Sequence, residues 1–154
     1  GYVRFGRLKV ANFTTEESPF ELGKGILLNP GTDVTIIATG HLVWEALEAA
    51  QSLEQDGISA EVVNIHTITP LDEELIINSI QKTGCVVTAE EHNYLGGLGE
   101  SVARTLTASH PVPQEMVATQ DTFGESGTPK ELMSKYGIDQ GAIIQKVKSV
   151  LQRK

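Results

Sequence analysis

Apolar and polar positions alternate between two regimes along this chain. Asp33-Val34-Thr35-Ile36-Ile37-Ala38-Thr39 is β-branched and nearly all apolar, the pattern of a strand buried on both faces. From His41 to Gln55 the period changes to that of a helix. Leu42, Val43, Ala46, Leu47, Ala50 and Leu53 recur on one face, Glu45, Glu48, Gln51 and Glu54 turn away, and Gly57 is a natural stop. A strand follows over 58–65, carrying Val62, Val63 and Ile65. Pro70-Leu71-Asp72-Glu73-Glu74 then opens a helix, its acids suited to the positive end of the dipole; Leu75, Ile76 and Ile80 bury it and Gly84 ends it. Further on come a strand over 85–89, a glycine-rich entry and helix over 96–107, a weaker strand over 115–119 and a short helix over 129–136. A closing helix over 139–152 has Ile143, Ile144, Val147, Val150 and Leu151 on its apolar face.

Strands alternating with helices predict right-handed parallel βαβ units with helices on both sheet faces. One further strand, Gly25 to Asn29, closes at Pro30-Gly31. Its link to the next strand is too short for a parallel crossover, which predicts an antiparallel neighbour. Ahead of it, Gly1 to Arg7 alternates like a short strand. From Leu8 onward no period is visible, and Asn12, Thr14, Thr15, Ser18 and Pro19 suggest a linker or an arm on a surface. The division expected is 1–7, 8–22 and 23–154.

Composition narrows the function classes. The 154 residues suffice for one core, and 40% hydrophobic with 21% charged residues is ordinary globular usage. A net charge of -8 makes nucleic acid a poor partner. No apolar run approaches the roughly 20 residues of a membrane span. The single cysteine, Cys85, has no partner for an internal disulfide or a CxxC pattern and reads as a buried small hydrophobe, consistent with a reducing, cytoplasmic setting.

Ligands of open α/β sheets collect at the carboxyl ends of the strands. Thr39-Gly40-His41, Asn64-Ile65-His66-Thr67, Glu90-Glu91-His92 and Asp121 to Gly127 should share that edge. His41, His66 and His92 with Glu90 or Glu91 could in principle ligate a metal. Their spacing is no short ligand motif, however, and helix-start or loop histidines more often cap backbone or meet a partner. Gly96-Gly97-Leu98-Gly99 could cradle a phosphate on bare helix amides or could serve close packing; its order is neither GxGxxG nor GxxxxGK[ST]. Gly124-Glu125-Ser126-Gly127-Thr128 lacks the last glycine of a nucleophile elbow and reads as a turn capping the helix after Pro129.

These segments in order resemble the C-terminal domain of transketolase-like thiamine enzymes. The resemblance is carried by Ser18 to Lys24, Asp33 to Gly40, Glu45 to Ala50, Val62 to Asp72, Thr88 to His92, Gly96 to Gly99 and Asp121 to Gly127. It implies a three-layer αβα sandwich with a mostly parallel five-stranded sheet whose first strand is antiparallel. It implies a part in ketol transfer between sugar phosphates by the complete enzyme, with thiamine diphosphate and Mg as cofactors. The signatures for both cofactors belong to other domains, so this chain is expected to bind neither and to be inactive alone. The implied partners are the remaining domains or an N-terminal subunit, within a homodimer. Tyr2 to Arg7 resembles the last strand of the preceding pyrimidine-binding domain, in which the arginine at the Arg7 position holds the sugar phosphate. His41, His66, Glu91, His92, Gly96 and Gly97 are the candidates for contact with neighbouring domains. The alternatives are the equivalent domain of a 2-oxoacid dehydrogenase β subunit, docking a carrier protein, or a stand-alone small-anion binder using the amides from Gly99 to Ser101.

Overall fold

The computed structural model describes residues 1–2 and 10–154. Five strands form one sheet: β1 (Ile26–Asn29), β2 (Val34–Ala38), β3 (Ala60–Asn64), β4 (Val86–Asn93) and β5 (Gln114–Thr119). Their order is β1-β3-β2-β4-β5. The four inner and later strands run parallel, and β1 runs antiparallel along β3. The antiparallel neighbour of β1 is therefore β3 rather than β2. Thr32 and Asp33 donate to the Ser59 carbonyl, so the chain leaving β1 turns directly into the β2–β3 ladder.

Five helices cover the sheet: α1 (Leu42–Gln55), α2 (Glu73–Thr83), α3 (Leu98–Ser109), α4 (Pro129–Tyr136) and α5 (Gln140–Leu151). Strand alternation divides the core between two layers. Ile36, Val62 and Val87 pack with Leu42, Ala46 and Leu53 of α1 and Ile143 and Val147 of α5. Ile37, Val63 and Val86 point the other way, onto Ile76 and Ile80 of α2 and Leu98 and Val102 of α3. A strand clothed by helices on both faces must be apolar at consecutive positions, which explains the unbroken run from Val34 to Ala38. Cys85 is fully buried in the α1–α5 layer, and its thiol pKa is raised by loss of solvent.

Two of the boundaries that differ from the expectation have a visible physical cause. The second helix starts at Glu73, not Pro70, because Asp72 is its cap: the carboxylate accepts from the Leu75 amide. The other Asp72 oxygen accepts from the Gly25 amide at 2.9 Å, tying the start of β1 to this helix. The fourth strand continues past Ala89 to Asn93, so Glu90, Glu91 and His92 are strand residues rather than a loop. Its extension pairs Asn93 with Thr119 beyond an irregularity after Ala89. Residues 10–22 carry no strand or helix, but Phe13 packs against the α1–α5 core layer. Among the described residues, no helix is long and apolar enough to cross a membrane.

Candidate functional site

Strand alternation sends the two carboxylates at the end of β4 to opposite faces of the sheet. Glu90 points to the α3 face and is 2% exposed. Its Oε2 accepts from the Leu98 amide at 2.7 Å and its Oε1 from the Gly99 amide at 2.8 Å. The chain thus supplies its own anion to the first turn of α3, where bare amides and the dipole favour one. Gly97 leaves room for this carboxylate, and Gly99 lets the helix start lie close to the sheet. A side-chain carbon on Gly97 would collide with the Glu90 carboxylate, and one on Gly99 would stand 2.8 Å from the Met116 sulfur. Nearby amides are also taken: Gly96 donates to Glu100 and Ser101 to the Gly97 carbonyl. The alternative of an anion on the Gly99 to Ser101 amides is not favoured, because the Gly99 and Ser101 amides have internal partners.

Glu91 points to the opposite face and meets His41, the residue preceding α1, with Oε2 2.8 Å from Nδ1. One dipeptide thereby ties β4 to the starts of two helices on opposite sides of the sheet. The other histidines are engaged separately. His92 Nδ1 lies 2.7 Å from the Asn93 carbonyl, to which it donates. His66 stacks on Phe20 with ring centroids 4.6 Å apart, and its Nδ1 lies 2.9 Å from Thr67 Oγ1. Its Nε2 is buried without a partner among the described residues. Among those residues no three His, Cys, Asp or Glu side chains gather as a metal site. Arg7 lies outside the described residues.

Beside the His41–Glu91 pair opens a groove of about 1170 Å³. Its walls are the first turn of α1 with His41 and Trp44, the 124–127 loop, α4, and the start of α5. Four contacts fix these walls. Glu45 of α1 accepts from the Gln140 amide at the start of α5 at 2.7 Å. Thr128 and Glu131 form a reciprocal capping box at α4, and those hydrogen bonds hold the Glu131 carboxyl below the usual range. Lys135 bonds Glu125 at 2.6 Å, which raises the pKa of the lysine, while Tyr136 donates its hydroxyl to the Phe123 carbonyl. The 124–128 segment is thus the helix-capping turn expected, and Gly124, Glu125 and Gly127 line the groove. Sequence reasoning missed Trp44 and Tyr136, and it placed Phe123 on this edge only as part of the run from Asp121 to Gly127. The available signal was an aromatic off the apolar stripe of α1, and another in a run of polar and glycine residues.

A diphosphate cofactor held through a divalent cation needs oxygen ligands gathered around the cation and free amides for the phosphates. The described residues gather no such ligands, and the amides at the α3 entry are committed to Glu90. They do not fit that group.

Comparison with known proteins places this architecture. Residues 23–143 match the family "Transketolase, C-terminal domain". The chain is 44% identical over 153 residues to a 6-deoxy-6-sulfo-D-fructose transketolase subunit of Clostridium sp. (strain MSTE9), covering 99% of this chain and 48% of that protein. It is 38% identical over 143 residues to an apulose-4-phosphate transketolase subunit of Phocaeicola vulgatus, covering 92% and 46% respectively. Among solved structures, a split gene transketolase described as an inactive β4 tetramer superposes with a TM-score of 0.92 at 43% identity, over 94% of this chain and 48% of that one. The chain thus spans about half the length of these relatives. With the mixed sheet, the two helical layers and the family match all in agreement, the chain belongs to the transketolase C-terminal domain family.

Proposed function

We propose that this chain supplies the C-terminal domain to a thiamine-diphosphate-dependent transketolase whose cofactor and Mg sites lie in another domain or subunit, and that alone it transfers no ketol group. The observation that carries this reading is the match over residues 23–143, taken with the commitment of the glycine-rich helix start to Glu90. Residues 1–7 then end a preceding pyrimidine-binding domain, 8–22 link it to this one, and 23–154 form the domain itself. Arg7 holds the phosphate of the sugar substrate in the assembled enzyme, which works as a homodimer in the cytoplasm. Thiamine diphosphate supplies the carbanion chemistry; this chain contributes folding, docking and orientation. His41, His66, Glu91, His92, Gly96 and Gly97 act through assembly, by fixing the carboxyl edge of the sheet that the neighbouring domain meets.

Calorimetric titration tests the division of labour. Thiamine diphosphate with Mg should give no saturable heat with this chain and should bind once the complementary thiamine-binding polypeptide is added. Saturable binding to the chain by itself would refute the assignment of the cofactor sites elsewhere.

A further inference from the structure

The segment ahead of β1 has no regular structure, yet it touches the body of the domain at separate points. Val10 and Ala11 line the groove beside α1, together with Trp44, His41 and Glu91. Alternate positions then face the body: Ala11 and Phe13 are half-buried, while Val10, Asn12 and Thr14 are exposed. Phe13 packs on the α1–α5 core layer. A turn follows, in which the Ser18 amide donates to the Thr15 carbonyl and the Thr15 amide to Ser18 Oγ. Beyond it Phe20 stacks on His66, past the end of β3. Among the described residues no hydrogen bond joins 10–14 to the body of the domain. Attachment of this stretch therefore rests on Ala11 and Phe13. A stretch with so few buried contacts opens well before the core does.

We propose that residues 10–20 are a strap with two independent clasps: Phe13 is a latch that closes one side of the groove, and Phe20 on His66 is the anchor that stays when the latch opens. The inference goes beyond the function proposed above and does not depend on it. The turn from Thr15 to Ser18 separates the clasps, so Phe13 leaves the core layer without Phe20 leaving His66. Release of Phe13 withdraws Val10 and Ala11 and opens the groove beside Trp44 and the His41–Glu91 pair. Energetics favour this order. Partial burial of one phenylalanine offsets little more than the entropy of ordering 10–14, so the open form is a populated minor state. The anchor is better held. Its ring meets another ring, and close behind it the Gly25 amide is bound by Asp72. The stretch that reads as a linker in sequence is thereby a gate on the groove.

Trp44 is the sole tryptophan of the chain, so its fluorescence reads this groove alone. In the whole 154-residue chain, Phe13→Ser should raise acrylamide quenching of Trp44 at least about twofold. The nuclear Overhauser contact between the Phe20 and His66 rings should persist in that variant. Phe13→Leu, which keeps an apolar contact, should quench as the parent does. Phe20→Ser should move the His66 ring signals and leave Trp44 quenching within error of the parent. If Phe13→Ser does not fold, relaxation dispersion on the labelled parent decides. There the amides of 10–14 and the Trp44 indole should share one microsecond-to-millisecond exchange process that 15–20 does not show. Unchanged quenching in a folded Phe13→Ser, equal unmasking of Trp44 by Phe20→Ser, or exchange in 10–14 no different from that in 15–20 would overturn the proposal. No readout involves the cofactor, so the proposed enzyme role is judged separately by its own titration.

Discussion

Glu90 is the side chain on which the carboxyl edge depends. It is a buried carboxylate satisfied by two backbone amides, so removing it orphans both donors and opens a void. Glu90→Ala should cost about 2–4 kcal/mol in a denaturant melt. Gly97→Ala should cost about 1–3 kcal/mol by pushing on the same carboxylate. Stability of either variant within error of the parent would refute the capping account. A second buried carboxylate, Glu61, is 1% exposed and bonds Lys82, while its other oxygen has no partner among the described residues. Lys82→Met should destabilise by about 3 kcal/mol, because it strands a buried charge. The double variant Glu61→Leu/Lys82→Met should recover most of that loss; a double variant as unstable as the single one would contradict it. For Arg7, whose role rests on resemblance, Arg7→Ala in the assembled enzyme should raise KM for a phosphorylated sugar about tenfold or more with little change in kcat. An unchanged KM would remove Arg7 from the substrate site.

At the scale of elements, α5 is clamped to the edge strand β5 by charge. Glu115 bonds Lys146 at 2.8 Å and Arg153 at 2.6 Å, and the Lys146 hydrogen bond leads the causes that hold its carboxyl below the usual value. A carboxyl with a depressed folded-state pKa contributes stability that is fully present above its unfolded value near 4.5 and is lost as pH falls through the folded value. Acid melts of the parent should therefore lose stability below about pH 4.5 more steeply than those of Glu115→Gln; parallel curves would exclude this clamp. The elements themselves were legible in the chain. Two-sided burial forced the apolar run of β2, and the 3.6-residue stripes of α1 and α5 matched their buried faces. What misled was local chemistry decided by distant partners. Pro70 looked like a helix opener until Asp72 took the cap. Glu90 and Glu91 looked like a loop because strand pairing with Thr119 cannot be read from charged residues. The glycine-rich entry matched an anion site in local pattern, and its anion was a carboxylate from the preceding strand.

At the scale of the whole molecule, the ten elements found among the described residues build one domain with two core layers, and the His41–Glu91 and Glu90 contacts lie at the carboxyl edge of its sheet. Helix starts, paired charges and exposed aromatics converge there, while the described residues form no site for a diphosphate and its cation. The match over residues 23–143 places this architecture among transketolase C-terminal domains. The resemblance that pointed to it was legible as an ordered series of short segments, whereas the groove was not, since its walls come from positions more than 90 residues apart, as in the Glu45–Gln140 contact. The most direct measurement is ketol transfer between sugar phosphates, with thiamine diphosphate and Mg present, by the chain alone and after mixing with the complementary thiamine-binding polypeptide. Our account predicts no turnover from either component and turnover from the mixture. Turnover by the chain alone, or a mixture that associates yet stays inactive, would contradict it.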